Sequence, residues 1–301
     1  MNSIILNSTV LLVGHGSRNS EGNHEIDRFA THWHEQNADW HIETCFIEFA
    51  EVLLDAGLDN AAKHAASHNQ KVIVVPLILN AAGHVKMEIP HFIDAARTRH
   101  PEVEFIYARH LGAGEAILTI IKRELCNVME ALDVPDPKTT GVIILGRGSS
   151  DRVANGEVAK MARWLYEEND HEQIDIAFTG ITYPRLERVV QQQVALGITQ
   201  IAILPYYLFT GTLIERIKRQ VARLQAQYPQ LAIQCGNYFG FEKEIYALLT
   251  LRVLQANGST HETDATMMEC DGCQYRLLAE ESDEHLHHHH SEPESADKVD
   301  T

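Results

Sequence analysis

The segment Val10-Leu11-Leu12-Val13-Gly14-His15-Gly16-Ser17-Arg18 recurs 132 residues later as Val142-Ile143-Ile144-Leu145-Gly146-Arg147-Gly148-Ser149-Ser150. Each copy has four apolar residues followed by Gly-x-Gly, which predicts a short buried strand that ends in a tight turn. One copy carries a histidine between the glycines, and the other carries an arginine. The sequence therefore predicts a duplicated scaffold with a single, asymmetric active site.

The repeat extends beyond this first loop, because three further anchors follow in the same order. They are Phe46 with Phe178, Pro76-Leu77-Ile78-Leu79 with Pro205-Tyr206-Tyr207-Leu208, and Gly83 with Gly211. Strand and helix patterns alternate in both halves, which predicts an α/β fold of two similar lobes, each a parallel sheet with helices on both faces. Ligands should bind between the lobes, at the carboxyl ends of the strands.

The alternation also predicts where the elements and domains lie. The predicted strands span 9–13, 41–49, 71–79, 103–107, 141–145, 173–180, 200–205 and 231–235, and the predicted helices span 24–37, 51–68, 86–100, 114–131, 153–169, 184–196, 212–228 and 241–255. We expect an N-terminal domain with the catalytic residues over 1–132, a linker over 133–139, and a C-terminal domain over 140–256. Residues 257–301 are acidic and poor in aliphatic residues, which is typical of a flexible, disordered tail.

Composition narrows the class of partner. A net charge of −17 argues against nucleic acid and anionic membranes, whose binding needs Lys and Arg. No apolar run approaches the ~20 residues that cross a bilayer, and the first residues lack the basic region of an export signal. The five cysteines are odd in number and scattered, which favours thiols or metal ligands over disulfides. We expect a cytoplasmic protein that binds a small molecule.

Three residues that could carry chemistry each follow the end of a predicted strand: His15, Glu48 and His84. Taken singly, each has an ordinary alternative as a turn residue bonded to backbone or as a solvated side chain. Together, two imidazoles and a carboxylate suit an open site for Co²⁺, Fe²⁺, Ni²⁺ or Zn²⁺. The sequence therefore predicts a metal-binding catalytic site in the first lobe.

The matching positions of the second half are Arg147, Gly180 and Thr212, which do not make a comparable ligand set. That half is expected to supply a wall and cations for an acidic substrate. Arg147, Arg152 and Arg185 fall in predicted loops after strands, where guanidinium groups can bind carboxylates in pairs. Each could equally be an ordinary surface arginine.

These features resemble the sirohydrochlorin chelatases, class II tetrapyrrole chelatases, over about residues 9–255. The resemblance is carried by the segments Gly14–Arg18, Phe46–Ala50 and Pro76–His84. It implies a lyase that inserts Co²⁺ or Fe²⁺ into sirohydrochlorin for cobalamin or siroheme, in a long form with two fused lobes. It also implies that His15, Glu48 and His84 are the catalytic and metal-binding residues.

The chemistry implied by the resemblance fits these side chains. Metallation strips water from the ion and removes two pyrrole N–H protons, for which imidazole ligands or bases and a carboxylate are suited. Because the macrocycle is a polycarboxylate, an acidic protein must make its cleft locally basic. The expected substrate-binding residues are Arg18, Lys86, Arg147, Arg152 and Arg185.

The tail carries further candidate metal ligands. Met268 to Cys273 resembles the Met-x-Cys-x-x-Cys segment that long cobaltochelatases associate with an iron–sulfur cluster. Cys270 and Cys273 supply only two of four thiolates, so a second chain, or Cys45, Cys126 or Cys235, would supply the others. A redox dithiol or half of a Zn²⁺ site is the alternative. We expect a monomer of two lobes, or a dimer if the cluster is shared.

The tail also contains a histidine run, formed by His285, His287, His288, His289 and His290. Such a run chelates transition metals, and it favours storage or delivery of Co²⁺ or Ni²⁺ without being needed for catalysis. A purification tag is the alternative, although native-looking residues follow the run. The run and the likeness to long forms favour cobalt as the inserted ion, with iron second.

Two other functions compete with a chelatase. One is a non-enzymatic protein that buffers cobalt or nickel through the tail. The other is a phosphate-handling α/β enzyme, since a glycine turn at a helix start can bind phosphate. The sequence lacks both Gly-Lys-Ser/Thr after the turn and Gly-x-Gly-x-x-Gly, so neither nucleotide pattern is met.

Overall fold

The computed structural model describes residues 8–132 and 136–258 and contains two parallel four-stranded sheets. The first has the order β2-β1-β3-β4 and the second the order β6-β5-β7-β8. The strands are β1 Ser8–Gly14, β2 His41–Phe46, β3 Lys71–Pro76, β4 Phe105–Tyr107, β5 Thr140–Gly146, β6 Ile174–Phe178, β7 Gln200–Pro205 and β8 Ala232–Cys235. The predicted α/β fold of two similar lobes is confirmed.

Helices cover both faces of each sheet. They are α1 Ser20–Gln36, α2 Leu54–His68, α3 Ile89–Arg99, α4 Glu115–Glu130, α5 Arg152–Glu167, α6 Leu186–Ala195, α7 Thr212–Gln227 and α8 Lys243–Ala256, and a π-helical segment, His84–Glu88, leads into α3. Asn19 caps α1 and Asp151 caps α5, since each side chain accepts a hydrogen bond from the first turn. Among the helices described, none is long and apolar enough to cross a bilayer.

The central strands of both sheets are buried on both faces, which explains their continuous apolar runs. In β1, Val10 and Leu12 point to one side of the sheet, and Leu11 and Val13 point to the other. The first side contributes to a hydrophobic cluster that also includes β5 and β7 of the second lobe. The halves therefore share one core and have a separate outer core each.

This shared core arises because the last helix of each half packs against the other half. Helix α4 contacts β7, and α8 contacts β3. Phe29 on α1 stacks on Tyr246 on α8 with ring centroids 4.2 Å apart, and Trp33 Nε1 donates to Thr250 Oγ1 at 2.9 Å. The two lobes are therefore interlocked and do not merely abut.

Several element limits differ from the sequence prediction. Strand β2 ends at Phe46 because the chain turns there, and the Phe46 N–H donates to the Val52 carbonyl at 2.9 Å. The helix predicted over 86–100 is interrupted, because its first turn is the π-helical segment. The domain limits 1–132 and 140–256 stay a prediction. Residues 133–135 of the proposed linker and 259–301 of the proposed tail lie outside the described residues.

Candidate active site

His15 lies directly after β1, in a turn that only glycine fits at the next position. Gly16 has φ +89°, and a Cβ there would lie 1.7 Å from the Glu48 carbonyl oxygen. The close approach is fixed by hydrogen bonds from Ile47 N–H to the Gly14 carbonyl at 3.0 Å and from Glu48 N–H to the His15 carbonyl at 3.1 Å. This turn therefore holds the loops after β1 and β2 together.

The three residues singled out from the sequence lie together at this edge of the sheet. His15 Nδ1 is 3.5 Å from Glu48 Oε1, and the His15 and His84 rings meet edge to face with centroids 4.7 Å apart. All three side chains are partly exposed. Two imidazoles and one carboxylate thus face the same open region, as expected for strands that end at one edge.

His84 is the first residue of the π-helical segment, and its ring is held by Glu88 four residues later. His84 Nδ1 and Glu88 Oε2 are 2.5 Å apart. A carboxylate that bonds one ring nitrogen orients a histidine and leaves Nε2 available as a ligand. The sequence analysis missed Glu88, because its predicted helix began at residue 86 and left His84 outside; a helix extended back to His84 would have placed the two residues four apart on one face.

The hydrogen bonds of His15 define which ring nitrogen carries the proton. Nδ1 is 3.0 Å from the Gly16 carbonyl oxygen, which can only accept, so Nδ1 donates. Nε2 then carries the lone pair, and the Arg147 guanidinium donates to it at 3.2 Å. Arg147 holds the place in the second lobe that His15 holds in the first, so the two repeated positions meet across the cleft.

Burial makes His15 a neutral imidazole. It lowers the His15 pKa to about 4, and His84 and Arg147 act in the same direction, whereas the Gly16 carbonyl and Glu88 oppose it. Near neutral pH the ring is therefore neutral, with its one proton on Nδ1 and a lone pair on Nε2 that suits a cation.

The two imidazoles and the carboxylate are close together but are not arranged around one common point. Across 8–132 and 136–258, no group of three or more His, Cys, Asp or Glu side chains is set up to hold a metal ion. At His15, the lone pair of Nε2 already accepts a hydrogen bond from Arg147. A cation that binds His15 must first displace this arginine.

The cations expected to bind substrate have different surroundings. Arg18 lies over the Phe49 ring at 4.6 Å, and Arg185 lies over the Tyr183 ring at 4.7 Å. Arg152 is exposed at the start of α5. These arginines lie in segments that follow β1, β5 and β6, at the carboxyl ends of the strands.

Lys86, one of the residues expected to bind substrate, is buried in an ion pair in this structure. Its Nζ is 2.6 Å from Asp151 Oδ2, and both side chains are only 10% exposed. Burial alone would raise the pKa of Asp151, but bonds from Lys86 and from the Val153 N–H hold it below its usual range. The ammonium is thus committed to an ion pair between the lobes, which the sequence analysis did not foresee.

The rim of the cleft exposes apolar side chains in unusual backbone positions. Phe49 has φ 55° and Ile181 has φ 59°, and the two occupy equivalent places in the lobes. A non-glycine residue with positive φ is uncommon and often marks a functional segment. Phe49 and Ile181 are exposed, and nearby Tyr183 is 75% exposed.

The cysteines and tail histidines proposed as further ligands fall into two groups. Cys270, Cys273, His285, His287, His288, His289 and His290 lie outside the described residues. Of the other cysteines, Cys45 is fully buried, and burial raises its thiol pKa far above the ordinary value. Burial raises the pKa of Cys235 to about 11, and Cys126 is exposed on α4. The surroundings of Cys45 and Cys235 are thus unfavourable to thiolates.

Known proteins share this architecture. The family model described as CbiX matches residues 9–128 and 141–256. The chain is 38% identical over 281 residues to the sirohydrochlorin cobaltochelatase of Priestia megaterium, a match that covers 93% of this chain and 88% of the relative. It is 30% identical over 280 residues to the sirohydrochlorin ferrochelatase of Bacillus subtilis (strain 168), covering 91% and 100%. The solved structure of SirB from Bacillus subtilis with Fe3+ superposes with a TM-score of 0.72 at 27% identity, covering 87% and 100%.

Proposed function

This chain belongs to the CbiX family, and on that premise we propose that it inserts a divalent metal ion into sirohydrochlorin, as a step toward cobalamin or siroheme. Co²⁺ is the first candidate, because the relative with 38% identity is named a cobaltochelatase, and the ferrochelatases match at 30% and 28%. Fe²⁺ is the second. The grouping of His15, His84 and Glu48 at one open edge carries the proposal.

His15 and His84 act in this proposal as ligands of the incoming ion. A pKa of about 4 makes His15 a weak base but leaves it neutral, with a lone pair that can bind a metal ion. The residue is therefore better suited to bind the metal ion than to accept the pyrrole protons. Glu88 orients His84 through Nδ1. The ion enters when Arg147 leaves His15 Nε2.

We assign to Glu48 the transfer of the pyrrole N–H protons to solvent. Insertion exchanges one divalent ion for the two protons on the pyrrole nitrogens, which must reach solvent. The carboxylate lies beside His15 and is 37% exposed, so it contacts both the site and water. It can therefore pass protons outward while the imidazoles hold the ion.

The second lobe and the cleft rim hold the macrocycle. Its carboxylates suit Arg18, Arg147, Arg152 and Arg185, and Lys86 is left out because Asp151 already pairs with it. Arg147 then has two partners in turn, His15 in the free enzyme and a substrate carboxylate in the complex. The exposed side chains of Phe49, Ile181 and Tyr183 offer contacts for the flat apolar faces of the ring.

An iron–sulfur cluster at Cys270 and Cys273 remains a separate proposal. Two thiolates must come from elsewhere. The burial of Cys45 and Cys235 leaves the exposed Cys126 as the candidate within the described residues, so at least one thiolate would come from a second chain. Iron and acid-labile sulfide analysis of anaerobically purified protein, with C270S/C273S as control, tests it. Equal iron and sulfide in both proteins contradicts it.

The proposed activity is tested by adding sirohydrochlorin and Co²⁺, Fe²⁺ or Ni²⁺ separately to the purified full chain and following the absorbance of the macrocycle. We expect metallation faster than without protein, with Co²⁺ the fastest. Metal binding without acceleration for any ion would support the non-enzymatic metal-buffering alternative instead.

A further inference from the structure

A second group of histidines lies at the opposite end of the first sheet from His15. It consists of His41 and Glu43 on β2 and His64 and His68 on α2, and we name it the rear histidine cluster. His41 pairs in register with Thr9 at the start of β1, whereas His15 follows the end of that strand. Six residues of strand separate the two levels by about 20 Å. The cluster is therefore distinct from the candidate active site.

The three imidazoles form a continuous stack. The His41 and His64 rings lie 3.4 Å apart at 5°, and the His64 and His68 rings lie 4.2 Å apart at 22°. His64 and His68 are four residues apart on α2, so they share one face of the helix. His41 and Glu43 are two residues apart, so they share one face of the strand. Both pairs thus meet where α2 covers β2.

The tautomer of His64 follows from its hydrogen bonds. Thr9 Oγ1 donates its only proton to Gln70 Oε1 at 3.0 Å. The same hydroxyl is 2.9 Å from His64 Nδ1, so here it must accept, and Nδ1 carries the proton. Nε2 of His64 therefore carries a lone pair.

The same reasoning applies to the other two rings. His68 Nδ1 is 2.9 Å from the His64 carbonyl oxygen, which only accepts, so the lone pair is on His68 Nε2. His41 Nε2 is 2.9 Å from Glu43 Oε1, and donation to this carboxylate leaves the lone pair on His41 Nδ1. Each ring thus has one nitrogen held by a hydrogen bond and the other free to bind a cation.

From these tautomers we propose that the rear histidine cluster is a second binding site for a divalent transition-metal ion of the Co²⁺, Ni²⁺ or Zn²⁺ class. Neutral imidazoles oriented through their other nitrogen are the usual ligands of such ions. Glu43 adds a negative charge beside the stack.

The ion is bound after the outer rings turn. The lone pairs of stacked rings lie in parallel planes and do not converge on one point. Accordingly, the described residues contain no preformed group of three ligands. His68 is exposed and the His41 side chain is 40% exposed, so both can rotate toward His64. His64 stays fixed by Thr9 and serves as the anchor.

The second lobe lacks this cluster, although its backbone matches. Gln173, which directly precedes β6, and Asp175 in β6 stand 132 residues after His41 and Glu43. There the Asp175 carboxylate accepts from Gln173 Nε2 at 2.6 Å and from Gln193 Nε2 at 3.0 Å. The side-chain amides of two glutamines thus donate hydrogen bonds to this carboxylate, and no imidazole is present at these positions. The proposed site belongs to the first lobe alone.

Metal counting on the full chain tests the proposal. Every sample carries Asn in place of the tail histidines 285 and 287–290, so that the run does not mask other sites. Equilibrium dialysis with Co²⁺ should show one equivalent less bound to H64Q/H68Q than to this background. H32Q/H34Q removes two exposed histidines of α1 and should bind as much as the background. Equal binding by H64Q/H68Q, or an equal loss in H32Q/H34Q, overturns the site.

Two measurements keep the test decisive if H64Q/H68Q does not fold. The isosteric T9V removes the acceptor that fixes His64 and should weaken this site by roughly 10–100-fold. Imidazole ¹⁵N spectra should show the His64 and His68 protons on Nδ1 and the His41 proton on Nε2, and Co²⁺ should broaden all three signals. Unbroadened signals, or unchanged affinity in T9V, overturn the proposal. Neither readout involves sirohydrochlorin, so failure here leaves the proposed function untouched.

Discussion

The two lobes have the same skeleton but different side chains at its functional points. Gly16 and Gly148 have φ +89° and +87°. Asn23 Oδ1 accepts from the Ser17 N–H at 2.8 Å, and Asn155 Oδ1 accepts from the Ser149 N–H at 2.9 Å. The loops after β1 and β5 are therefore built by the same hydrogen bonds. The two loops differ in chemistry because they carry different side chains at equivalent positions.

At the strand ends, the first lobe presents two imidazoles and a carboxylate, which we propose as the metal-binding and catalytic groups, and the second presents a cation. His15, Glu48 and His84 correspond to Arg147, Gly180 and Thr212. The first lobe also begins its third helix with a π-helical segment, whereas α7 is a regular helix from Thr212. π-helical turns are frequent at functional sites. From this difference we propose that the first lobe is the ligand side, which binds the metal ion, and that the second is the substrate side, which binds the macrocycle.

The largest expected effect is on the ligand side. H15A and H84A should each reduce kcat for Co²⁺ insertion by roughly 10²-fold or more, because each removes a group that acts directly in the reaction. T212A changes the position equivalent to His84 and should alter kcat by about twofold at most. Steady-state metallation of sirohydrochlorin measures all three. Wild-type rates in both histidine variants would mean that the lobes do not differ in this way.

The next effect concerns the ion pair between the lobes. K86M leaves the Asp151 carboxylate buried without its partner, which should cost about 3–5 kcal/mol of unfolding free energy. D151N should destabilise similarly, although Asn keeps the helix cap, as Asn19 does at the equivalent place. N19D is the matched control and should be nearly neutral. Denaturant unfolding measures each value, and equal losses in N19D and D151N would contradict the asymmetry.

A smaller effect is expected for the cation of the second lobe. R147E should raise KM for sirohydrochlorin by about 10–100-fold, because a charge-assisted hydrogen bond is lost. The kcat at saturating substrate should change less, since Arg147 leaves His15 when the ion binds. Initial rates over a range of substrate concentrations separate the two constants. A lower kcat at unchanged KM would place Arg147 on the ligand side instead.

The smallest expected change in stability is at the two glycine turns, Gly16 and Gly148, where the two lobes can be compared directly. G16A and G148A should each destabilise the fold by about 1–3 kcal/mol, because alanine disfavours positive φ. A Cβ at Gly148 would lie 2.3 Å from the Gly180 carbonyl oxygen, so neither turn has room. Only G16A should also lower kcat strongly, since it separates His15 from Glu48. Unfolding curves and rates measured on both variants test this, and equal kcat losses would contradict it.

The sequence predicted the grouping of His15, Glu48 and His84 because parallel strands bring their carboxyl ends to one edge. It also identified Arg147 as the partner position through the repeat. It did not reveal Glu88 as the group that orients His84, nor the burial of Lys86. Glu88 lies within the same segment as His84 and was missed because the predicted helix began at residue 86. The burial of Lys86 depends instead on how that segment packs against the start of α5, and this packing has no signature in a linear pattern.

The exchange of helices α4 and α8 was likewise invisible in the sequence. A repeat shows that two halves have the same elements, but not which half each helix covers. The tautomers of the rear histidine cluster are a second case, since they depend on Thr9 and Gln70 meeting His64. Spacing predicted shared faces within α2 and β2, but not that these faces meet.

The linear order of residues by itself determined the strands, the duplication and which lobe carries two histidines and an acid after its strands, because apolar periodicity and glycine turns are local properties of the chain. Tertiary structure alone decided that Arg147 reaches His15, that Lys86 is paired with Asp151, and that the halves share a core. These contacts join residues far apart in sequence. They form only because burying apolar surface brings the lobes together, which no local pattern encodes.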